Sequence, residues 1–202
     1  MSSRIGAAYD ARATEYVALI GDIEQTDAAD RDLIGAWRDA TAGRLLDAGC
    51  GPGMWTQFLR DGTRDVVGID LSAQFIAHAR AAYPHLEFQH GSFSEIAAPD
   101  ASVDGILAWY SLIHTPPEDL PAILEEFARV LAPGGSILIG FFDGAAREPF
   151  AHAITTAYFW TADALQPLLE QAGFAITASG RRDRVPGEVS TRPHGSVTAT
   201  RL

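Results

Sequence analysis

An apolar strand that stops on an acid and then breaks into alternating glycines is compatible with few folds. Residues 44–53 read Arg-Leu-Leu-Asp-Ala-Gly-Cys-Gly-Pro-Gly, and a second apolar run, Val66-Val67-Gly68-Ile69-Asp70, again closes on an acid. The glycines remove side chains where a ligand must touch backbone, and they supply the φ/ψ of a tight strand-to-helix turn. A helix beginning near Pro52 aims its unpaired N–H groups over that loop. Strand and helix signals alternate through the rest of the chain, which predicts an α/β fold with a mostly parallel sheet covered on both faces.

Tyr9 to Ile20 and Ala28 to Ala42 read as N-terminal helices joined by the polar stretch from Gly21 to Asp27. Strands are expected at residues 44–48, 66–70, 86–90, 103–109 and 136–142. Thr115-Pro116-Pro117-Glu118 has the form of a capping box with proline at the first helical position. Leu120, Ile123, Leu124, Phe127 and Leu131 then form an apolar stripe, and Pro133-Gly134-Gly135 ends that helix. A second marked helix starts at Thr161, with Trp160 and Leu165 spaced as a hydrophobic staple. Residues 175–179 and 196–200 are the last two strands, antiparallel across a loop holding Pro186-Gly187. The 202 residues suit one domain, with residues 1–42 as a lid and 43–202 as the core.

The spacing of the glycines narrows the ligand. A dinucleotide turn wants G-x-G-x-x-G, and the third glycine position here is Met54. No Lys follows the loop, so a phosphate-cradling P-loop fails as well. Asp47 would repel a phosphate but can accept from an ammonium, and Asp70 stands where a carboxylate can take both hydroxyls of a ribose. A ligand with ribose, an amino-acid end and no phosphate meets these demands: S-adenosylmethionine (SAM).

The chain resembles the class I SAM-dependent methyltransferases. The resemblance lies in residues 45–53, 67–72, His90-Gly91-Ser92-Phe93, Val103-Asp104-Gly105-Ile106-Leu107 and residues 129–135, in the family's order. It covers most of the chain from about Gly43 to Phe174, and implies a Rossmann-like, doubly wound, seven-stranded sheet with an antiparallel last strand. It further implies a cofactor site past the strand ends: Asp47, Gly49, Cys50 and Gly51, then Asp70 and Leu71, Gly91 to Phe93, and Trp109 with Tyr110. Leu71 and Phe93 would sandwich adenine, with core packing as the alternative. Trp109 and Tyr110 would flank the methionine portion. Arg12, on a helix expected to close over the cofactor with Tyr9 and Tyr16, would grip the methionine carboxylate, or else face solvent. Ser92 departs from the family, which usually has an Asp there for the adenine amino group. The expectation is altered affinity with the site retained.

Absences exclude other chemistry. All 15 basic residues are Arg, so lysine Schiff bases are ruled out. Cys50 is the one cysteine, which excludes thiolate zinc sites and three-cysteine clusters; it reads as a small residue filling the turn. The formal charge of −11 argues against a nucleic-acid partner. Arg181, Arg182, Arg184 and Arg192 form a local basic exception, a solvated loop or a contact for an anionic group. No apolar run approaches the roughly 18 residues needed to span a bilayer. A cytoplasmic protein, monomer or homodimer, is expected.

Methyl transfer asks mainly for alignment of the reactants. A general base is needed only for a protonated nucleophile. His114 and Asp143 are the candidate bases, with His152 beside them; His114 also reads as a helix-start residue before Thr115. His78 and His85 read as surface residues and His90 as strand-end packing. Residues 144–160, rich in aromatics, read as an apolar lid or as a packed helix. The expected reaction is methyl transfer from SAM to O, N or C of a small-molecule acceptor of aromatic or apolar character. A SAM-binding module without transferase activity and an NAD-dependent oxidoreductase are the alternatives.

Overall fold

The computed structural model describes residues 2–184 and 192–202. Two short helices, α1 (Ser2–Asp10) and α2 (Ala13–Ile20), are followed by a 3-10 turn (Ile23–Gln25) and α3 (Ala28–Ala40). The core then alternates: β1 (Leu45–Ala48), α4 (Met54–Leu59), β2 (Val66–Asp70), α5 (Ala73–Ala82), β3 (Glu87–His90) and β4 (Val103–Trp109). It continues through α6 (Leu120–Val130), β5 (Leu131–Phe142), β6 (Pro149–Ala151), β7 (Thr156–Tyr158), α7 (Ala162–Gln171), β8 (Phe174–Arg182) and β9 (His194–Arg201).

Seven strands form one sheet in the order β3-β2-β1-β4-β5-β9-β8. The first five pair in parallel, and β9 runs antiparallel to both β5 and β8. The fold is thus the α/β architecture expected, with the last strand antiparallel. The loop carrying Pro186-Gly187 lies outside the described residues. Continuous apolar runs in the central strands follow from burial on both faces. Leu46, Ile106 and Ile137 pack on one side with Leu124, Phe127, Leu165 and Leu169 of α6 and α7. Their neighbours Leu45, Leu107 and Leu138 point the other way, onto Ile34 and Trp37 of α3 and onto α4. Strand order reverses between β1 and β4, and the crevice above that switch point is where such sheets bind ligands.

Three local expectations give way to tertiary constraints. The helix read over residues 9–20 is broken at Ala11-Arg12, because Asp10 turns aside to accept from Ser72 Oγ (2.6 Å) and Gln74 N (3.0 Å) at the start of α5. The proposed cap at Thr115 does not form; α6 starts at Leu120 after a turn in which Asp119 N donates to Pro116 O at 2.9 Å. Pro116 precedes another proline, which disfavours helical φ/ψ at that position. Starting at Leu120 also places Pro121 in the first turn, where its missing N–H is harmless. Residues 144–160 contain no helix; β6 and β7 pair there as a short antiparallel ribbon. The start at Thr161 holds, with its hydroxyl accepting from Ala164 N.

Candidate active site

The turn after β1 is clamped to the neighbouring strand. Gly49 N and Cys50 N both donate to Ile69 O, at 2.8 and 3.0 Å. Gly49 has φ of 84°, and a Cβ there would lie 2.3 Å from Ser111 Cβ, so both conformation and space demand glycine. At Gly51 a Cβ would meet nothing within 4 Å, leaving bare backbone. Asp70 completes the turn: its Oδ2 accepts from Gly51 N (2.9 Å) and its Oδ1 from Ser72 N (2.8 Å). Burial raises the Asp70 pKa, and the two N–H donors oppose that rise. Each carboxylate oxygen keeps capacity for a further donor.

Above this turn lies a cavity of about 400 Å³. Gly49, Gly51 and Asp70 form its floor, Leu71, Phe75 and Phe93 one apolar side, and Tyr110, Ser111 and His114 another. Helices α1 and α2 roof it with Ile5, Tyr9 and Tyr16. The roof sits close because Gly6 packs on Leu71, where a Cβ would come within 2.7 Å of the Leu71 carbonyl oxygen. Among the described lining residues are three carboxylates, Asp70, Glu118 and Asp119, and no arginine. That potential favours a cation and opposes a phosphate. Ser111 Oγ is buried without a hydrogen-bond partner, a polar atom left for a ligand. Backbone floor, ribose-ready carboxylate, apolar plates and negative charge together fit SAM.

The expected site residues separate into those on the cavity wall and those off it. Gly49, Gly51, Asp70, Leu71, Ser92, Phe93, Trp109, Tyr110 and His114 line the cavity. Ser92 Oγ is hydrogen-bonded to Ser94 Oγ (2.7 Å) and accepts from Ser94 N (3.1 Å). Tyr110 carries a left-handed φ of 53°, and its hydroxyl bonds His194 Nδ1. Gly91 ties β3 to β2 through its N–H on Asp70 O. Asp47 lies beneath the floor, with Oδ2 accepting from Thr56 Oγ1 at 2.7 Å. Burial, with a smaller push from the Asp70 charge, raises its carboxyl pKa to about 7. Cys50 points away into a cluster with Ile76, Ala79 and Phe88. Arg12 is off the wall: it pairs with exposed Glu15 and donates to Ala153 O. Asp143 is also off the wall, held by Arg181 at 2.7 Å.

His114 has a defined proton arrangement. Its Nδ1 lies 2.8 Å from Thr156 O and so donates, which leaves Nε2 to accept from Tyr9 Oη at 2.9 Å. Burial lowers the imidazole pKa. The His152 ring stands 5.0 Å from it, with its own pKa pulled to about 4 chiefly by burial. Burial raises the Tyr9 pKa well above the ordinary phenol value, and that of Tyr16 to about 12. Phe75 and Asp119 carry no site signal in the sequence, and Glu118 reads there only as part of a helix cap. Phe75 had one local signal, its place three residues after Ser72, whose hydroxyl caps α5 by accepting from Phe75 N.

Comparison with known proteins agrees with this geometry. Residues 45–135 match the family described as "Methyltransferase domain". A probable S-adenosylmethionine-dependent methyltransferase of Mycolicibacterium smegmatis is 34% identical over 139 residues, 67% of this chain and 53% of that protein. The chain belongs to the class I SAM-dependent methyltransferases. It spans about half the length of the curated relatives it matches, 53% and 51% in two of them. Two solved structures share the methyltransferase fold across the whole chain. The [4+2]-cyclase SpnF superposes with TM-score 0.82 at 18% identity, over 100% of this chain and 96% of that one. Magnesium protoporphyrin IX methyltransferase from Synechocystis PCC 6803, with bound SAH, gives TM-score 0.77 at 18% identity, over 100% and 99%.

Proposed function

We propose that this methyltransferase-family chain uses SAM to methylate a small-molecule acceptor in the cytoplasm, working as a single domain in which α1 and α2 form the lid. The fold alone leaves the reaction open, since one structural neighbour is a cyclase. The observation that carries the reading is the cavity floor: the Asp70 carboxylate, fixed by two backbone N–H groups beside the bare Gly51 backbone. When bound there, SAM supplies a methyl group on a sulfonium, activated for in-line transfer to a nucleophile. Asp70 takes the ribose hydroxyls, and Leu71 and Phe93 flank the adenine. Gly49 and the Ser111 hydroxyl meet the amino-acid end, and the wall's negative charge favours its ammonium and the sulfonium. Tyr9 and Tyr16 exclude water from above, which strengthens each polar contact inside. The absence of a cation among the described lining residues opposes the NAD alternative, whose pyrophosphate would face three carboxylates.

The cavity of about 400 Å³ lies within the range of small-molecule pockets, about 300–1,000 Å³, and so suits SAM itself. Calorimetry with S-adenosylhomocysteine (SAH) tests the reading. Hydrogen bonds to a charged group contribute about 1.5–3 kcal/mol each, so Asp70→Ala should weaken binding about 100-fold, at roughly 1.4 kcal/mol per tenfold. Folded wild-type protein that binds neither SAM nor SAH would end the proposal.

A further inference from the structure

We propose that Tyr9 and His114 form a proton relay in which the Tyr9 hydroxyl meets the acceptor and His114 receives the proton. The proposal rests on the methyl-transfer reading above and assigns the acceptor class: a neutral O–H or N–H group that must lose its proton on methylation.

The geometry sets the direction of the relay. Thr156 O holds the proton of His114 on Nδ1, so Nε2 presents a lone pair, and the Tyr9 hydroxyl points its proton there. Nε2 is therefore covered and does not face an acceptor directly. The Tyr9 oxygen retains lone pairs, and both residues line the cavity alongside Gly49 and Ser111. In the step, the acceptor's O–H or N–H bond breaks and its proton goes to Tyr9 Oη. Tyr9's own proton passes to His114 Nε2, leaving an imidazolium still anchored on Thr156 O. The electron pair stays on the acceptor atom, which forms the bond to the methyl carbon as the methyl–sulfur bond breaks. Tyr9 is never left as a phenolate, which matters because burial and the charge of Asp70 both oppose one. A thiolate or carboxylate acceptor would need no such relay.

The groups facing the pair are few. Tyr16 and Phe75 pack on Tyr9, with Asp70 near enough to act on it; His152 meets His114 edge-on, and Arg12 and Arg192 act on His152. His114 must be neutral to receive a proton. Because burial lowers its pKa, turnover should hold through neutral pH and fall only below the ordinary imidazole range.

The test compares wild type with Tyr9→Phe and His114→Asn, using labelled SAM and the small-molecule pool of the source cells. Each substitution should lower kcat about 10²–10⁴-fold while leaving the Kd for SAH within about twofold, and the double variant should be no worse than the worse single one. The acid limb of the rate profile should vanish in Tyr9→Phe. NMR of nitrogen-labelled histidine supplies a readout independent of turnover: the His114 Nε2 resonance should move in Tyr9→Phe. Variants that keep the wild-type kcat, or that lose only SAH affinity, overturn the relay and leave a lid contact. Wild type that binds SAM yet transfers no methyl overturns the underlying reading instead.

Discussion

Along the strand ends the cavity wall is largely backbone: the bare turn at Gly49 and Gly51, and one carboxylate held by main-chain N–H groups. The facing wall under α1 is built from side chains that arrive from far apart. Tyr9 reaches His114 across 105 residues, and His114 reaches Thr156 across 42. The first wall depends on φ/ψ and on the absence of side chains, both fixed within a few residues. The second depends on how separate pieces dock. A cofactor shared by a family can be held by the first kind of wall, whereas an acceptor peculiar to one enzyme needs the second.

The sharpest way to break this contrast is to give the backbone wall a side chain. Gly49→Ala forces a left-handed alanine against Ser111, and strain of that kind costs about 1–3 kcal/mol. A Tm fall of about 2–4 °C per kcal/mol, with SAH binding lost, is expected from thermal denaturation and calorimetry; an unchanged Tm would refute the strain. A smaller effect comes from the roof. Asp10→Ala removes the contacts to Ser72 and Gln74, comparable to loss of a helix cap at about 1 kcal/mol, and should raise the SAH Kd about fivefold. Binding identical to wild type would mean that the roof does not contribute to holding the ligand. The smallest effect belongs to Arg12. Its partner is the exposed Glu15 and it lies off the cavity wall, so Arg12→Ala should change SAH affinity less than about twofold, in line with the near-zero worth of exposed ion pairs. A tenfold loss would restore the carboxylate-gripping role that the sequence suggested.

The same contrast explains what could be read in advance. The places of the strands along the chain, the glycine turn and Asp70 were legible because periodicity and turn chemistry are local. The break at Ala11-Arg12 was not, since it follows from Asp10 serving a helix more than 60 residues away. Thr115-Pro116-Pro117-Glu118 and Asp119-Leu120-Pro121 both carry proline near a possible helix start, and the helix takes the second. Arg12 and Asp143 were plausible by position along the chain, but each is taken by a partner, Glu15 or Arg181, that position does not reveal. Tyr9 was named for its helix and His114 for its strand end; that they share a proton is visible only in three dimensions.

Ser72 plays two parts: its oxygen accepts from Phe75 N to cap α5, and its hydrogen goes to Asp10. If α1 lifts away, the cap remains, and water can replace what Asp10 provided. The contact between α1 and α5 is therefore separable from the capping of α5, which Ser72 supplies from within its own helix start. Losing the Asp10 contact costs α5 one partner at its start and leaves its side-chain cap in place.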